Sequence, residues 1–248
     1  MSEICYKKVF LKEVASQIDF FTPMKELFSE GLPVNIAESL KERFPIAESS
    51  KGFIQNVEIS PEGPKTSQTN FSQWIFHGND RSKTICINEH FINVSLKKYG
   101  NYDDFREDFV NPISKVMELK NNIQIKRTGI RFINVFDNIE NYSEINKYFS
   151  SMLSNAFMNQ YKQDDCTRSV LVFEYLFGDI KVRLQAGIFN PDYPAKITRK
   201  HFVIDIDAFT DFPHIISNVQ EYFGKFHEAI QNVFEYCITE ELRKFMNE

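Results

Sequence analysis

The stretch of residues 123–138, IQIKRTGIRFINVFDN, constrains the fold of this chain more than any other. Its side chains alternate as they do in a β-strand, and one face of that strand is apolar. The opposite face carries Arg127, Gly129 and Arg131 among the apolar residues Ile123, Ile125, Ile133 and Val135. An unpaired guanidinium among apolar neighbours is costly, so both arginines need acceptors or water. The sequence therefore predicts a strand with a core face and a polar face, with acidic or amide groups beside the arginines.

The predicted elements follow a similar order in the two halves of the chain. Each half begins with a strand, continues through a helix and several strands that turns join into antiparallel neighbours, and ends in a helix. Turn-forming residues in PEGPKTSQTN predict a loop over 61–70. The predicted strands are 9–20, 53–59, 71–76, 83–88, 91–97, 123–138, 169–177, 180–189 and 201–208, and the predicted helices are 24–43, 102–120, 143–153 and 213–245. Gly31 and Pro33 are candidate positions for a break that divides the first helix into two pieces.

This order predicts an α+β fold made of internally duplicated β-α-β(3-4)-α units, which comprise residues 1–121 and 122–248. Such units are typical of TATA-binding-protein-like and helix-grip-like folds, in which one curved antiparallel sheet carries helices on one face. We expect the two units to share that sheet. Their opening strands would then pair at its centre.

Pairing of the opening strands predicts a polar cluster. Aligning KEVASQIDF (12–20) with KRTGIRFIN (126–134) and applying a twofold axis places Glu13 beside Arg131 and Gln17 beside Arg127, all on one face. Two interpretations stay open. The four side chains form either a hydrogen-bonded cluster that sets the strand register or a binding site for an anionic ligand or a partner's carboxylate or phosphate.

Two aspartates in HFVIDIDAF, Asp205 and Asp207, share one face of a predicted strand. Carboxylates two residues apart can bind a divalent cation, but such sites need further ligands, and no third acidic residue accompanies them. We therefore favour a solvated or arginine-paired strand face and expect no metal site. Asp205 and Asp207 are nevertheless candidate ligand-binding residues.

Bulk composition and missing motifs exclude several classes of function. The net charge of -5 disfavours general binding to nucleic acid or anionic lipid. No apolar run is long enough to span a membrane, and the opening residues lack a leader-like apolar region, so we expect a cytoplasmic protein. The four cysteines form no CxxC pair, and we expect reduced, mostly buried thiols. No nucleotide-binding or nucleophile-elbow motif is present, and we expect no cofactor.

The arginine strand resembles the signature of an uncharacterised, sporadically distributed prokaryotic family of about this length, R-x-G-L-R-[YF]-I-N. Further similarity lies in the opening strand, in the D-I-D strand and in the closing helix. The resemblance implies no activity, but a patchy distribution is compatible with a role in a bacterial conflict or defence system. The matched residues are Arg127, Gly129, Arg131, Phe132, Ile133 and Asn134, then Leu11, Glu13, Val14, Gln17, Ile18 and Phe20, then Asp205 and Asp207, and finally His227, Ile230, Phe234, Ile238 and Thr239.

The leading functional prediction is a non-catalytic binding or interaction protein that recognises a partner protein or a small ligand through the polar sheet face. The alternative is an enzyme or sensor for a phosphorylated or nucleotide-like small molecule, with Arg127 and Arg131 as an anion clamp. In that case Glu13, Asp205 or Asp207 would serve as acid, base or metal ligand. The oligomeric state is left open, with a homodimer as one option.

Overall fold

A computed structural model describes residues 6–60, 63–137, 139, 141–162, 165–198 and 201–248 of the chain. Within these residues the chain forms ten strands and six helices. The strands are β1 (Leu11–Phe20), β2 (Ile46–Ser60), β3 (Gly63–His77), β4 (Lys83–Asn88), β5 (Phe91–Leu96), β6 (Gln124–Phe136), β7 (Ser169–Phe177), β8 (Ile180–Phe189), β9 (His201–Phe209) and β10 (His214–Ile215). The helices are α1 (Val34–Leu40), α2 (Tyr102–Leu119), α3 (Tyr142–Tyr148), α4 (Ser151–Met158), α5 (Val219–Cys237) and α6 (Glu240–Asn247).

All ten strands belong to one antiparallel sheet with the order β2-β3-β4-β5-β1-β6-β9-β8-β7, and the short strand β10 pairs with β6. The strands that open the two predicted units, β1 and β6, are therefore neighbours at the middle of the sheet. β5, from the first half of the chain, pairs with the outer side of β1. β9, from the second half, pairs with the outer side of β6. The sheet is open, with β2 and β7 at its edges.

The hydrophobic core lies on one face of this sheet. The even-numbered residues 14–20 of β1 and 128–136 of β6 are buried, among them Val14, Ile18 and Ile130, as the alternation of the sequence predicted. Buried side chains from all six described helices belong to the same core cluster as these strand residues. Helix α5 contacts β6, β8 and β9, and α2 contacts β5. The opposite face, which we call the open face, consequently carries the polar side chains of the central strands.

The alternation in β6 is interrupted at its beginning. We predicted Ile125 on the same face as the arginines, but Ile125 is fully buried on the core side, opposite the buried Phe20. The register of β1 against β6 shifts between Asp19 and Phe20, which is the signature of a β-bulge. One extra residue in a strand reverses the facing of everything beyond it. The remainder of β6 keeps the predicted faces up to Phe136, and Asn138 lies outside the described residues.

Several predicted helices are shorter than expected. The predicted helix 24–43 is helical only over α1, because Gly31 has a φ of 116° and Pro33 precedes the first helical residue. The predicted closing helix divides into α5 and α6 at Ile238, which forms a β-bridge with Phe149. Thr239 then caps α6 by accepting a hydrogen bond from the backbone amide of Leu242. At Ile238, pairing with Phe149 interrupts a sequence pattern that by itself predicts one continuous helix.

The predicted loop 61–70 is largely strand. β2 and β3 pair without interruption from Ile46 opposite His77 to Ser60 opposite Gly63, so they form one long hairpin. Residues 61 and 62 lie outside the described part of the chain. Among the residues that are described, no helix has the length and apolar character needed to cross a membrane.

Candidate functional site

The open face carries an ion-pair network at the centre of the sheet, contributed by β6 and β9. Arg131 makes two hydrogen bonds to the carboxylate of Asp205, from Nε at 2.8 Å and from Nη2 at 2.5 Å. Arg127 donates from Nη2 to Asp207 at 2.8 Å. Each oxygen of the Asp205 carboxylate accepts one hydrogen bond from Arg131, and charge-assisted pairs of this kind are stronger than neutral hydrogen bonds. The arginine-paired interpretation of the two aspartates therefore agrees with the structure.

The acceptors that we predicted for the arginines, Glu13 and Gln17, do not play that role. Observed pairing places Ala15 opposite Arg131 and Gln17 opposite Gly129, a displacement of two residues from the predicted register. Gln17 instead donates from Nε2 to Asp19 at 2.6 Å and accepts from Asn93 at 3.3 Å. Glu13 is exposed and acts on Arg131 only through its charge. The β1 and β6 strands meet as predicted, but their polar side chains are satisfied by different partners.

Gly129 allows Arg127 to reach across the face. A Cβ atom at this position would lie 2.9 Å from Nη1 of Arg127 and 3.0 Å from Cβ of Phe209, which is closer than ordinary contact distance. Without that atom, the Arg127 guanidinium lies over the Phe209 ring, with Cζ 4.6 Å from the ring centroid. Such a cation–π contact contributes about 0.5–1 kcal/mol at a partly exposed site. The missing side chain at Gly129 therefore permits this close approach of Arg127 to Phe209.

The network extends as a row of alternating charge across four strands. Arg183 lies opposite Asp207 in the sheet and opposite Glu174 on β7, and its Nε donates to Glu174 at 2.7 Å. Read from the edge inward, the row is Glu174, Arg183, Asp207 and Arg131. Cross-strand neighbours of opposite charge stabilise a sheet modestly. Phe209 lies two residues from Asp207 on the same face and was not among the predicted site residues.

Burial alters the acid-base behaviour of this cluster. The pKa of Asp207 is raised above the usual aspartate range because burial disfavours its charged form more than Arg127 favours it. The hydrogen bonds to Asp205 are the largest influence raising the pKa of Arg131. Among the described residues, no group of three or more His, Cys, Asp or Glu side chains could hold a metal ion. The two aspartates therefore act with arginines rather than as part of a larger carboxylate cluster.

The raised pKa of Asp207 predicts a pH dependence that the Asp207→Asn variant lacks. A carboxyl whose folded-state pKa exceeds its unfolded value keeps its proton over a range in which the unfolded chain has lost it. The unfolding free energy of the wild type, relative to the variant, should therefore fall as pH rises from about 3.8, the ordinary value, and level off above the folded-state pKa. Urea unfolding at a series of pH values measures this difference. A rise over the same window contradicts the assignment.

Cys86 and Cys237 are not activated nucleophiles. Burial raises the pKa of Cys86 to about 11 and that of Cys237 to about 12, so both remain thiols at neutral pH. Cys86, Cys166 and Cys237 are all free, and Cys5 lies outside the described residues.

Comparison with known proteins does not indicate what this arrangement of residues does. No protein-family model matches the chain, and no curated protein matches it either. The function must be argued from the site itself.

Proposed function

We propose that this is a non-catalytic binding protein that docks a partner protein on the open face of its sheet. The observation that carries the proposal is the one-sided packing of the molecule. The six described helices contribute to a single core on one side, while the other face of a ten-stranded sheet carries accessible polar and apolar side chains. A broad face that carries both polar and apolar side chains is suited to contact with another protein.

The apolar part of the proposed docking face lies on its β7 edge. Val172 and Leu176 point to the same face as Glu174 and are 57% and 70% exposed. Phe189, near the end of β8, is 58% exposed and faces the same way. Large exposed apolar side chains beside charged ones are a feature of interaction surfaces. β7 is also an edge strand without lysine or proline, the residues that commonly protect such edges from pairing.

The charged part favours a protein partner over a free anion. Arg127 and Arg131 are both engaged by aspartates, and Arg183 is engaged by Glu174. The face therefore presents alternating charge rather than a positive excess, which matches the net charge of -5 in disfavouring nucleic acid. Alternating charges select the orientation of a complementary protein surface more than they add affinity.

We also infer that the chain is internally duplicated and related to TATA-binding-protein-like or helix-grip-like folds. Support comes from the central antiparallel pair of β1 and β6 and from the equivalent positions of β5 and β9 beside them. Membership of the sporadically distributed prokaryotic family, a cytoplasmic location and a role in a conflict system are proposals that rest on the sequence. The two inferred units, residues 1–121 and 122–248, contribute to one shared core.

Site-specific photocrosslinking tests the docking proposal. A photoreactive phenylalanine analogue replaces Leu176 on the open face or, as the control, Tyr236 on α5, since these side chains are 70% and 68% exposed. Irradiation of cells that produce the protein naturally should yield a discrete adduct from position 176 and none from position 236. An adduct of twice the 29.1 kDa chain mass identifies a second copy as the partner. Equal adducts from both positions, or none from position 176, contradict the proposal.

One observation favours the alternative of an enzyme or sensor for a phosphorylated small molecule. The raised pKa of Asp207 beside Arg127 is the kind of perturbation that functional acids show. An anion would have to displace Asp205 or Asp207 from the arginines before it could bind. A thermal-shift series with phosphate and nucleotides separates the two functions, because a ligand at a hundred times its Kd stabilises the fold by about 2.7 kcal/mol.

A further inference from the structure

A cavity of about 140 Å³ lies on the core side of the sheet, away from the open face. Its walls come from β6, from α5, from the end of α6, from residues 99–100 and from the chain segment 6–11 that leads into β1. Apolar lining side chains include Phe10, Phe132, Ile230, Phe234 and Met246. An apolar cavity of about 150 Å³ is large enough to hold a single benzene ring. The space therefore suits one aromatic ring and little more.

One buried polar group faces this cavity without a protein partner. Asn134 follows Phe132 on the core face of β6, is 8% exposed and lines the cavity. Across the described part of the chain, its side-chain amide makes no hydrogen bond, although Asn134 takes part in the pairing of β6 with β1 and β9. The amide oxygen and nitrogen are reachable from the cavity, so they can hydrogen-bond to water or to a ligand there. A ligand with a hydrogen-bonding group would take the place of water on this amide.

The polar groups at the rim come from successive turns of α5. His227, Gln231 and Glu235 are spaced four residues apart and so lie on one side of the helix. The Glu235 carboxylate already accepts hydrogen bonds from the Tyr6 hydroxyl at 2.7 Å and from Nε of Arg243 at 2.8 Å. Burial and Glu235 both raise the pKa of Tyr6, so its hydroxyl keeps its proton and remains a donor. A carboxylate held in this way disfavours an anionic ligand in the cavity.

The N-terminal segment forms a fixed wall of the cavity. The backbone amide of Lys8 donates to the carbonyl of Met246 at 2.9 Å, and the amide of Val135 donates to the carbonyl of Phe10 at 2.9 Å. With the Tyr6 contact to Glu235, these bonds hold the segment across α6 and against β6. The cavity is thus pre-formed in the folded chain, which favours binding of a small ligand.

We propose that this cavity binds a small uncharged aromatic molecule that carries one hydroxyl or amide group, with the ring among the apolar side chains and the polar group on Asn134. The volume limits the ligand to one ring, and the apolar walls favour an aromatic surface. An amide side chain both donates and accepts, so a phenol hydroxyl satisfies it in either orientation. The site is independent of the docking face, which lies on the opposite side of the sheet.

Titration of the full-length protein with phenol and with benzene, followed by ligand-observed NMR and calorimetry, tests the proposal. Both probes should bind saturably, and phenol should bind more tightly. Asn134→Leu should weaken phenol binding by roughly tenfold, about 1.4 kcal/mol, which is the net worth of one hydrogen bond, and leave benzene binding within about threefold. Asn93→Leu, the same change on the open face of β5, should bind both probes as the wild type does.

Two further measurements test the stability of the Asn134→Leu variant and the position of the binding site. Asn134→Leu without ligand should unfold at the same or a higher temperature than the wild type, because it places an apolar side chain of similar size on the core face of β6. Ile230→Phe fills the cavity from α5 and should abolish binding of both probes. The proposal is overturned if neither probe binds saturably to the wild type, if Asn134→Leu binds phenol as tightly as the wild type, or if Ile230→Phe retains binding. None of these outcomes depends on the docking face.

Discussion

Asp108→Asn should lower the unfolding free energy by about 3 kcal/mol, the loss expected when one partner of a buried ion pair is removed. The Asp108 carboxylate on α2 is 2% exposed and accepts hydrogen bonds from Lys83 Nζ at 2.9 Å and 3.0 Å and from Nε of Arg43. These contacts tie α2 to β4 and to the turn after α1. The neutral amide removes the carboxylate charge that pairs with Lys83 and leaves Arg43 with only its exposed partners, Glu107 and Asp104. Urea unfolding monitored by circular dichroism measures the change.

Glu107→Gln is the matched control for that measurement. Glu107 also pairs with Arg43, through Nη1 at 3.0 Å, but its side chain is 61% exposed. An exposed ion pair contributes at most about 1 kcal/mol, so this variant should stay close to the wild type. Equal losses from the two variants would show that burial of Asp108 does not decide the effect.

Arg131→Asp should lower the unfolding free energy by roughly 2 kcal/mol. The change replaces the cation that pairs with Asp205 by a third carboxylate beside Asp205 and Asp207, whose side chains are 11% and 20% exposed. The expected loss is below that for a fully buried pair because Arg131 itself is 49% exposed and solvent screens its charge. Urea unfolding at neutral pH measures it.

A reciprocal exchange separates charge pairing from side-chain packing. Arg131→Asp combined with Asp205→Arg restores opposite charges at the two positions, and we expect it to recover at least half of the stability lost by Arg131→Asp alone. Failure to recover stability would mean that the fork between Arg131 and Asp205 contributes through its shape rather than its charge.

Local alternation was sufficient to predict the central strands and their pairing. The apolar even-numbered positions of β1 and β6 identified the core face, and the requirement for acceptors beside Arg127 and Arg131 identified a polar face. The antiparallel contact of β1 and β6 at the middle of the sheet followed from the repeated order of elements. These features depend on patterns within short segments, which a single sequence displays.

The register and the partners of the arginines could not be predicted in the same way. A displacement of two residues keeps every side chain on its predicted face, so hydrophobic alternation cannot distinguish the predicted register from the observed one. The true acceptors, Asp205 and Asp207, come from β9, which lies more than seventy residues away in the chain. Their shared strand face was visible in the sequence, but their adjacency to β6 depends on the order of strands in the sheet.

Groups inside the core were the hardest to foresee. Asn134 and Asp108 are both buried polar residues. The sequence alone does not show which side chains lie close enough to form hydrogen bonds with them. Asp108 finds Lys83 and Arg43 on other elements, while Asn134 faces a cavity whose walls come from five segments. Both outcomes depend on tertiary packing alone.

The dependence of the position-176 photoadduct on Arg183 tests the docking face most directly. Arg183→Glu reverses the one cation between Glu174 and Asp207 without touching the helix layer. The account predicts that this change abolishes the adduct formed from position 176, since three neighbouring carboxylates replace the alternating row that a partner would meet. An adduct of unchanged yield and mass in the Arg183→Glu variant, with the fold intact by circular dichroism, contradicts the account.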